Sequence, residues 1–195
     1  MKIILASASP RRRELLERMG LRDFSVVVSD ADESLAPGLS PAAQVERLSL
    51  LKARSVAETL PEGSLIIAAD TVVALGDSIL GKPADREDAF RMLSALSGAC
   101  HHVYTGVTVI MDSKVLTCHE DTAVNFRPLT AEEIELYIST GECMDKAGAY
   151  GIQGYGALLV EGIVGDYYNV MGLPVMRLAG MLKEFGVDCL ALAAN

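Results

Sequence analysis

KIILASASPRRR, at residues 2–13, joins a buried strand to the start of a helix. The apolar run at 2–6 is typical of a buried strand. Ser9 and Pro10 supply an N-cap and a first helical residue, and Gly20 marks the end of this helix. Three consecutive arginines span about 200° of a helix, so we expect at least one of them to face solvent.

Strand and helix signals continue along the chain without a strict βαβ repeat. We predict strands at 65–69, 72–75, 79–80, 102–111 and 115–125, and helices at 41–60, 85–98, 130–139 and 174–185. Asp70 is expected to close the strand at 65–69, and residues 187–195 to form a loose tail. The fold class is therefore α/β, a mixed twisted sheet flanked by helices within one domain over 1–195.

The composition narrows the possible partners. Of 195 residues, 17 are Lys or Arg and 26 are Asp or Glu, which gives a formal charge of −9. An acidic surface repels phosphate backbones, so we expect no nucleic-acid partner, and a bound polyanion would need a local basic cluster. Half of the residues are hydrophobic, which excludes a disordered chain.

Cysteine usage and the apolar runs indicate the compartment. The 4 cysteines are scattered without a CxxC pair, which is typical of a reducing environment rather than a disulfide framework. The apolar run at 3–6 is too short for a signal peptide, and no stretch resembles a membrane span. We therefore expect a soluble, cytoplasmic protein with no membrane partner.

The segment from Ser7 to Arg13 is a candidate phosphate site. A helix N-terminus presents unpaired N–H groups and a partial positive charge, and arginine adds planar charged donors. The alternative is a solvated basic start to a surface helix. Cations at this end oppose the helix dipole, which favours the functional interpretation.

Asp70 follows the apolar strand at 65–69 in the sequence AADT. Sites in α/β proteins gather at the carboxyl ends of strands, where an aspartate can hold a divalent cation or accept a proton from water. The alternative is a loop aspartate that caps backbone N–H groups.

Three lysines lie at informative positions, Lys52 near the apolar face of a helix and Lys82 and Lys146 in loops. Each alone is more often a surface lysine whose stem covers apolar groups. Together with Arg11 and Arg12 they could neutralise a triphosphate on an otherwise acidic protein.

DKAGAYGIQG, residues 145–154, is rich in glycine, which permits tight turns and close approach of the backbone to a ligand. The amide of Gln153 has both a donor and an acceptor and could therefore read a base edge. The alternative is a glycine-rich turn that leads into a core strand.

These segments together resemble the Maf family of septum-formation-inhibitor-like proteins. The resemblance rests, in order, on LASASPRRRELL at 5–16, DADES at 30–34, RLSLLKA at 47–53, AADTVV at 68–73, GKP at 81–83, LSG at 96–98, YTGV at 104–107, FRPLTAEEI at 126–134, DKAGAYGIQG at 145–154 and YNVMGLP at 168–174. It implies a fold like that of the ITP pyrophosphatases, with an active-site cleft between two lobes. It also implies a nucleoside triphosphate pyrophosphatase.

The resemblance also implies roles for individual residues. Asp70 matches the catalytic proton acceptor, and DKAGAYGIQG resembles the branch that acts on dTTP and UTP, in which Arg11, Thr71 and Gln153 are associated with substrate choice. Charged pocket positions are matched by Arg12, Glu33, Lys52, Lys82 and Lys146. The phosphates would be held by Ser7, Ser9, Arg12, Lys52, Lys82 and Lys146, and a divalent cation, Mg²⁺ or Mn²⁺, by Glu33 and Asp70.

The expected reaction is hydrolysis of dTTP, UTP and modified pyrimidine nucleotides to the monophosphate and pyrophosphate. Two alternatives remain open at this point. The first is the same chemistry on 7-methyl-GTP, which Lys146 and Gln153 disfavour. The second is a nucleotide-binding regulator of cell division. Exposed strand edges and related folds make a homodimer a further expectation.

Overall fold

A computed structural model of the protein describes residues 1–194. Its strands are β1 (Lys2–Leu5), β2 (Phe24–Val26), β3 (Ser64–Leu75), β4 (Ser78–Leu80), β5 (Cys100–Met111), β6 (Lys114–Phe126) and β7 (Val160–Val164). Its helices are α1 (Pro10–Arg18), α2 (Pro41–Ala57), α3 (Arg86–Leu96), α4 (Ala131–Ser139), α5 (Tyr167–Met171), α6 (Val175–Lys183) and α7 (Cys189–Ala193). Short 3-10 helices cover Ala147–Ala149 and Gly154–Leu158.

The strands form a 7-stranded mixed sheet in the order β2-β1-β3-β5-β6-β7, with β4 paired to β3. β1 runs parallel to β2 and to β3, whereas β3 with β4 and β6 with β7 are antiparallel. The predicted mixed α/β class, with a sheet flanked by helices, is confirmed.

The chain divides into two compact units. Unit 1 comprises Met1–Asp70, Thr105–Glu120 and the described residues from Gly172 onward. Unit 2 comprises Thr71–Tyr104 and Asp121–Met171. Each unit has its own apolar core. That of unit 1 includes Ile4, Ala53, Val56, Ile66 and Ile110, and that of unit 2 includes Leu93, Leu96, Val124, Phe126 and Ile138.

The helices begin where the cap residues predict. The Oγ of Ser40 accepts from the backbone N–H of Ala43 at the start of α2. At the start of α4, Thr130 and Glu133 form the predicted capping box, with each side chain bonded to the backbone of the other residue. These bonds satisfy backbone donors that have no partner inside the helix.

Two predictions about element ends are wrong. Asp70 lies inside β3, which continues without a break to Leu75. The parallel pairing with β1 ends earlier, at Ile67, so Asp70 lies just past the carboxyl end of the parallel part of the sheet. The same strand then continues as one arm of the hairpin with β4.

The segment expected to be a loose tail instead contains α7, with Val187 and Cys189 buried. The carboxylate of Asp188 caps this helix by accepting from the N–H groups of Leu190 and Ala191. Asn195, the last residue of that predicted tail, lies outside the described residues. No helix within residues 1–194 has both the length and the apolar character needed to cross a membrane.

Candidate functional site

The turn from β1 into α1 places two of the predicted phosphate-binding residues in contact. Ser7 is buried two residues beyond the end of β1, and its Oγ accepts from Nη1 of Arg12 at 3.1 Å. The N–H of Ser9 donates to the same oxygen at 3.2 Å. Ser9 does occupy the N-cap position, but its side chain makes no capping bond within the described residues. Ser7 is therefore the residue that organises this turn.

The guanidinium of Arg12 is fixed from two sides. Its Nε donates to the backbone oxygen of Gly172 at 2.8 Å, in addition to the bond to Ser7. Burial lowers the pKa of Arg12, and the nearby carboxylates of Asp70 and Glu33 oppose this shift. Because an arginine begins far above neutral pH, the group stays charged, and two fixed contacts orient a permanent cation.

The three consecutive arginines differ in exposure, as their angular spread on the helix predicts. Arg11 and Arg12 are half-buried, whereas Arg13 is exposed. Arg13 is thus the solvent-facing member of the set, and Arg11 and Arg12 remain candidates for contact with a ligand.

The most buried charges of unit 1 meet at Lys52. The Nζ of Lys52, in the middle of α2, lies 2.6 Å from Oδ1 of Asp70 and 2.9 Å from Oε2 of Glu33. The side chains of Lys52 and Asp70 are each 10% exposed, whereas that of Glu33 is 61% exposed. The charges of Lys52 and Asp70 are thus removed from water, whereas that of Glu33 stays at the surface. A buried ion pair contributes little net stability, so an arrangement of this kind favours a functional role.

The same donor set fits a divalent cation. Two carboxylates converge on one cationic centre, the Lys52 ammonium, from separate parts of unit 1. Mg²⁺ is commonly bound by one or two carboxylates that share it with substrate phosphates and water, rather than by a cage of protein ligands. Among residues 1–194, no group of three or more His, Cys, Asp or Glu side chains is arranged to hold a metal ion.

In unit 2, Lys146 lies at the start of the glycine-rich segment. Its Nζ donates to the backbone oxygen of Glu142 at 2.5 Å and lies 2.6 Å from Oδ1 of Asp145. The side chain of Lys146 is 14% exposed. The space for its stem depends on Gly151, where a Cβ would lie 2.8 Å from Cε of Lys146. The absence of a side chain at Gly151 therefore lets the Lys146 side chain pack closely against the backbone.

The other predicted residues of unit 2 differ in exposure. Thr71 follows Asp70 in β3 and is half-buried, Lys82 is exposed in the loop after β4, and Gln153 is half-buried directly before the 3-10 helix Gly154–Leu158. Direct contacts join Ser7 to Arg12, and Lys52 to Asp70 and Glu33, all within unit 1. Sequence reasoning missed Glu142 and Tyr137, because their bonds to Gly151, Tyr155 and Gly156 join residues 13 or 14 positions apart and no local motif marks them.

The family model described as "Maf-like protein" matches residues 2–185. A dTTP/UTP pyrophosphatase from Moorella thermoacetica is 54% identical over 189 residues, which is 96% of this chain and 96% of that protein. A dTTP/UTP pyrophosphatase from Symbiobacterium thermophilum is 51% identical over 185 residues, or 95% of this chain and 94% of that protein.

A structural likeness supports the fold alone. The structure of a HAM1 protein from Coxiella burnetii superposes with a TM-score of 0.52 at 16% identity, covering 94% of this chain and 99% of that chain. At this identity the likeness concerns architecture and carries no information on the substrate.

Proposed function

Because the chain belongs to the family of Maf-like proteins, we propose that it is a nucleoside triphosphate pyrophosphatase that acts on dTTP and UTP. The observation that carries the proposal is the buried Lys52–Asp70 pair, with Glu33 on the same ammonium. The products are the nucleoside monophosphate and pyrophosphate.

The reaction is the attack of water on the α-phosphorus. A bond forms from the water oxygen to this phosphorus, and the bond from phosphorus to the bridging oxygen of pyrophosphate breaks with its electron pair. The proton of the water passes to Asp70. Lys52 holds the carboxylate of Asp70 in position through the contact of 2.6 Å, so the base does not have to be ordered during the reaction.

Charge stabilisation is the larger requirement, since pyrophosphate leaves with most of the negative charge of the substrate. We assign this role to the fixed cation of Arg12 with Ser7 and Ser9 beside it, and to Lys52, Lys82 and Lys146. A divalent cation, Mg²⁺ or Mn²⁺, held by Asp70 and Glu33, would neutralise phosphate oxygens as a Lewis acid.

The base is read by Arg11, Thr71 and Gln153 in this proposal. A pyrimidine imide presents an N–H between two carbonyl oxygens, and an amide side chain such as that of Gln153 complements this pattern. A site built around such bonds disfavours bases that leave them unpaired. A homodimer and the absence of a nucleic-acid partner stay predictions from the sequence.

The test is pyrophosphate release from dTTP, UTP, CTP, dATP, GTP and 7-methyl-GTP with Mg²⁺. The unsubstituted protein is expected to favour dTTP and UTP, and Asp70→Asn to lower kcat by about 100-fold or more. Asp77→Asn is the matched control, because Asp77 is exposed in the turn between β3 and β4. Near-full turnover by Asp70→Asn would remove Asp70 from the chemistry, and selective turnover of 7-methyl-GTP would refute the proposed substrate.

A further inference from the structure

We propose that Glu142, together with Tyr137, is a positioning residue that sets the base preference by holding the segment that carries Gln153. This inference rests on the proposed function. Glu142 follows α4 and is half-buried, and Tyr137 lies in α4 with 5% of its surface exposed. Both residues belong to unit 2, as does the whole segment 145–156.

The Glu142 carboxylate accepts three hydrogen bonds. Its Oε1 accepts from the hydroxyl of Tyr137 and from the N–H of Gly156, both at 3.1 Å. Its Oε2 accepts from the N–H of Tyr155 at 3.0 Å. Tyr155 and Gly156 lie in the first turn of the 3-10 helix Gly154–Leu158, where backbone donors have no partner inside the helix. Glu142 therefore caps this helix from outside it.

The position that would normally supply the cap is Gln153. It precedes the 3-10 helix with extended backbone dihedrals, but its side chain makes no capping bond. Because the Glu142 carboxylate already accepts from the N–H groups of Tyr155 and Gly156, the Gln153 amide is not drawn onto its own helix. A base-reading role requires an amide that is available in this way.

The packing leaves little freedom at this cap. Gly154 has a φ of +64°, and a Cβ there would lie 2.5 Å from Oε2 of Glu142. At Gly156, a Cβ would lie 2.0 Å from the backbone oxygen of Gly151. The backbone after Gln153 is thus held directly against the carboxylate, and its position follows that of Glu142.

The same network reaches both ends of the segment. The Tyr137 hydroxyl accepts from the N–H of Gly151 at 3.3 Å while it donates to Glu142. The backbone oxygen of Glu142 accepts from Nζ of Lys146 at 2.5 Å. One residue therefore holds both the lysine assigned to the phosphates and the backbone that carries Gln153. A site whose supporting groups are displaced by small distances loses the geometry on which its ligand contacts depend.

Two substitutions test this without removing a ligand contact. Glu142→Gln keeps the size of the side chain but replaces one acceptor oxygen with an NH₂ donor that faces a backbone N–H. Tyr137→Phe removes only the hydroxyl and leaves the buried ring. Glu161→Gln in β7 is the matched control, because Glu161 is exposed.

The measurement is kcat and KM for dTTP and for dATP with Mg²⁺, together with thermal unfolding and amide exchange at Tyr155 and Gly156. In both variants we expect a higher KM for dTTP, a kcat within a few-fold of the unsubstituted value, and about a tenfold fall in the dTTP-to-dATP ratio of kcat/KM. Amide exchange at Tyr155 and Gly156 should be faster. The double variant should be no worse than the worse single one, since both substitutions break one network.

An unchanged dTTP-to-dATP ratio in the folded variants would overturn the role of Glu142, even where amide exchange is faster. Equal losses on both nucleotides that follow the unfolded fraction would also overturn it, because they indicate a structural role only. If Glu142→Gln does not fold, the ratio in Tyr137→Phe decides alone. No turnover of dTTP by the unsubstituted protein would instead refute the proposed function.

Discussion

Acid should destabilise the protein through one buried histidine, His101 of β5. The residue is 0% exposed, and its Nε2 lies 2.7 Å from the hydroxyl of Tyr150. Phe126 and Tyr150 pack edge-on against the ring, with centroids at 5.0 and 5.3 Å. The Nδ1 atom is buried without a hydrogen-bond partner among residues 1–194. A protonated ring would therefore hold a charged N–H with no acceptor.

Burial, with a smaller contribution from His102, lowers the pKa of His101 from 6.5 to about 4. Between these values the unfolded chain binds more protons than the folded one, so stability rises with pH. The contribution is fully present above pH 6.5 and is lost as the pH falls towards 4. The whole shift is worth about 3 kcal/mol, of which about 2 kcal/mol is lost between pH 7 and pH 5.

The assay is urea unfolding of the unsubstituted protein and of His101→Gln at pH 7, 6 and 5. Gln does not titrate, and its amide can still bond to the Tyr150 hydroxyl. The other titrating groups are the same in both proteins, so their effects cancel in the difference. We expect the unsubstituted protein to lose about 2 kcal/mol more than the variant between pH 7 and pH 5. Parallel pH curves would refute the assignment.

Two further predictions concern stability. Lys52→Met leaves the carboxylate of Asp70 without the ammonium at 2.6 Å. This substitution should lower the free energy of unfolding, measured in urea, by about 3 kcal/mol. Adding Asp70→Asn should recover most of this loss, because no unpaired buried carboxylate then remains. A double variant as unstable as Lys52→Met alone would contradict this expectation. At Gly106 a Cβ would lie 2.1 Å from the backbone oxygen of Val45. Gly106→Ala should therefore cost about 3 kcal/mol or more in thermal unfolding. Gly180→Ala in α6 is the control, because no neighbouring atom among residues 1–194 lies within 4 Å of the added Cβ, and it should raise the free energy of unfolding by about 1 kcal/mol. Equal effects of Gly106→Ala and Gly180→Ala on stability would count against this packing argument.

Helices with strong local signals were predicted well. α2 begins at the predicted Ser40-Pro41 pair, and α4 begins at the predicted capping box of Thr130. Such signals act within a few residues, so the sequence carries them in full. The short strands β2 and β7 were not predicted, because each is stabilised by pairing with a strand distant in sequence.

Within the candidate site, the charged residues were predicted but their partners were not. Lys52 was identified from its place on the helix, whereas its contacts with Asp70 and Glu33 depend on how α2 packs. For Ser9, a cap signal correctly predicted the helix start, but the bonding role at this turn belongs to Ser7. Several acceptors compete for one donor in such a turn, and their geometry decides between them.

The sequence by itself determined the mixed α/β class, the family and the residues able to carry phosphate chemistry, because composition, periodicity and ordered motifs depend on neighbours along the chain. Only the tertiary structure decided which charges meet, that Asp70 lies inside a continuous β3, and that Glu142 caps the helix after Gln153. These facts depend on contacts between distant residues. Burial then makes such contacts strong, because a charge or an N–H group removed from water needs a partner at hydrogen-bond distance.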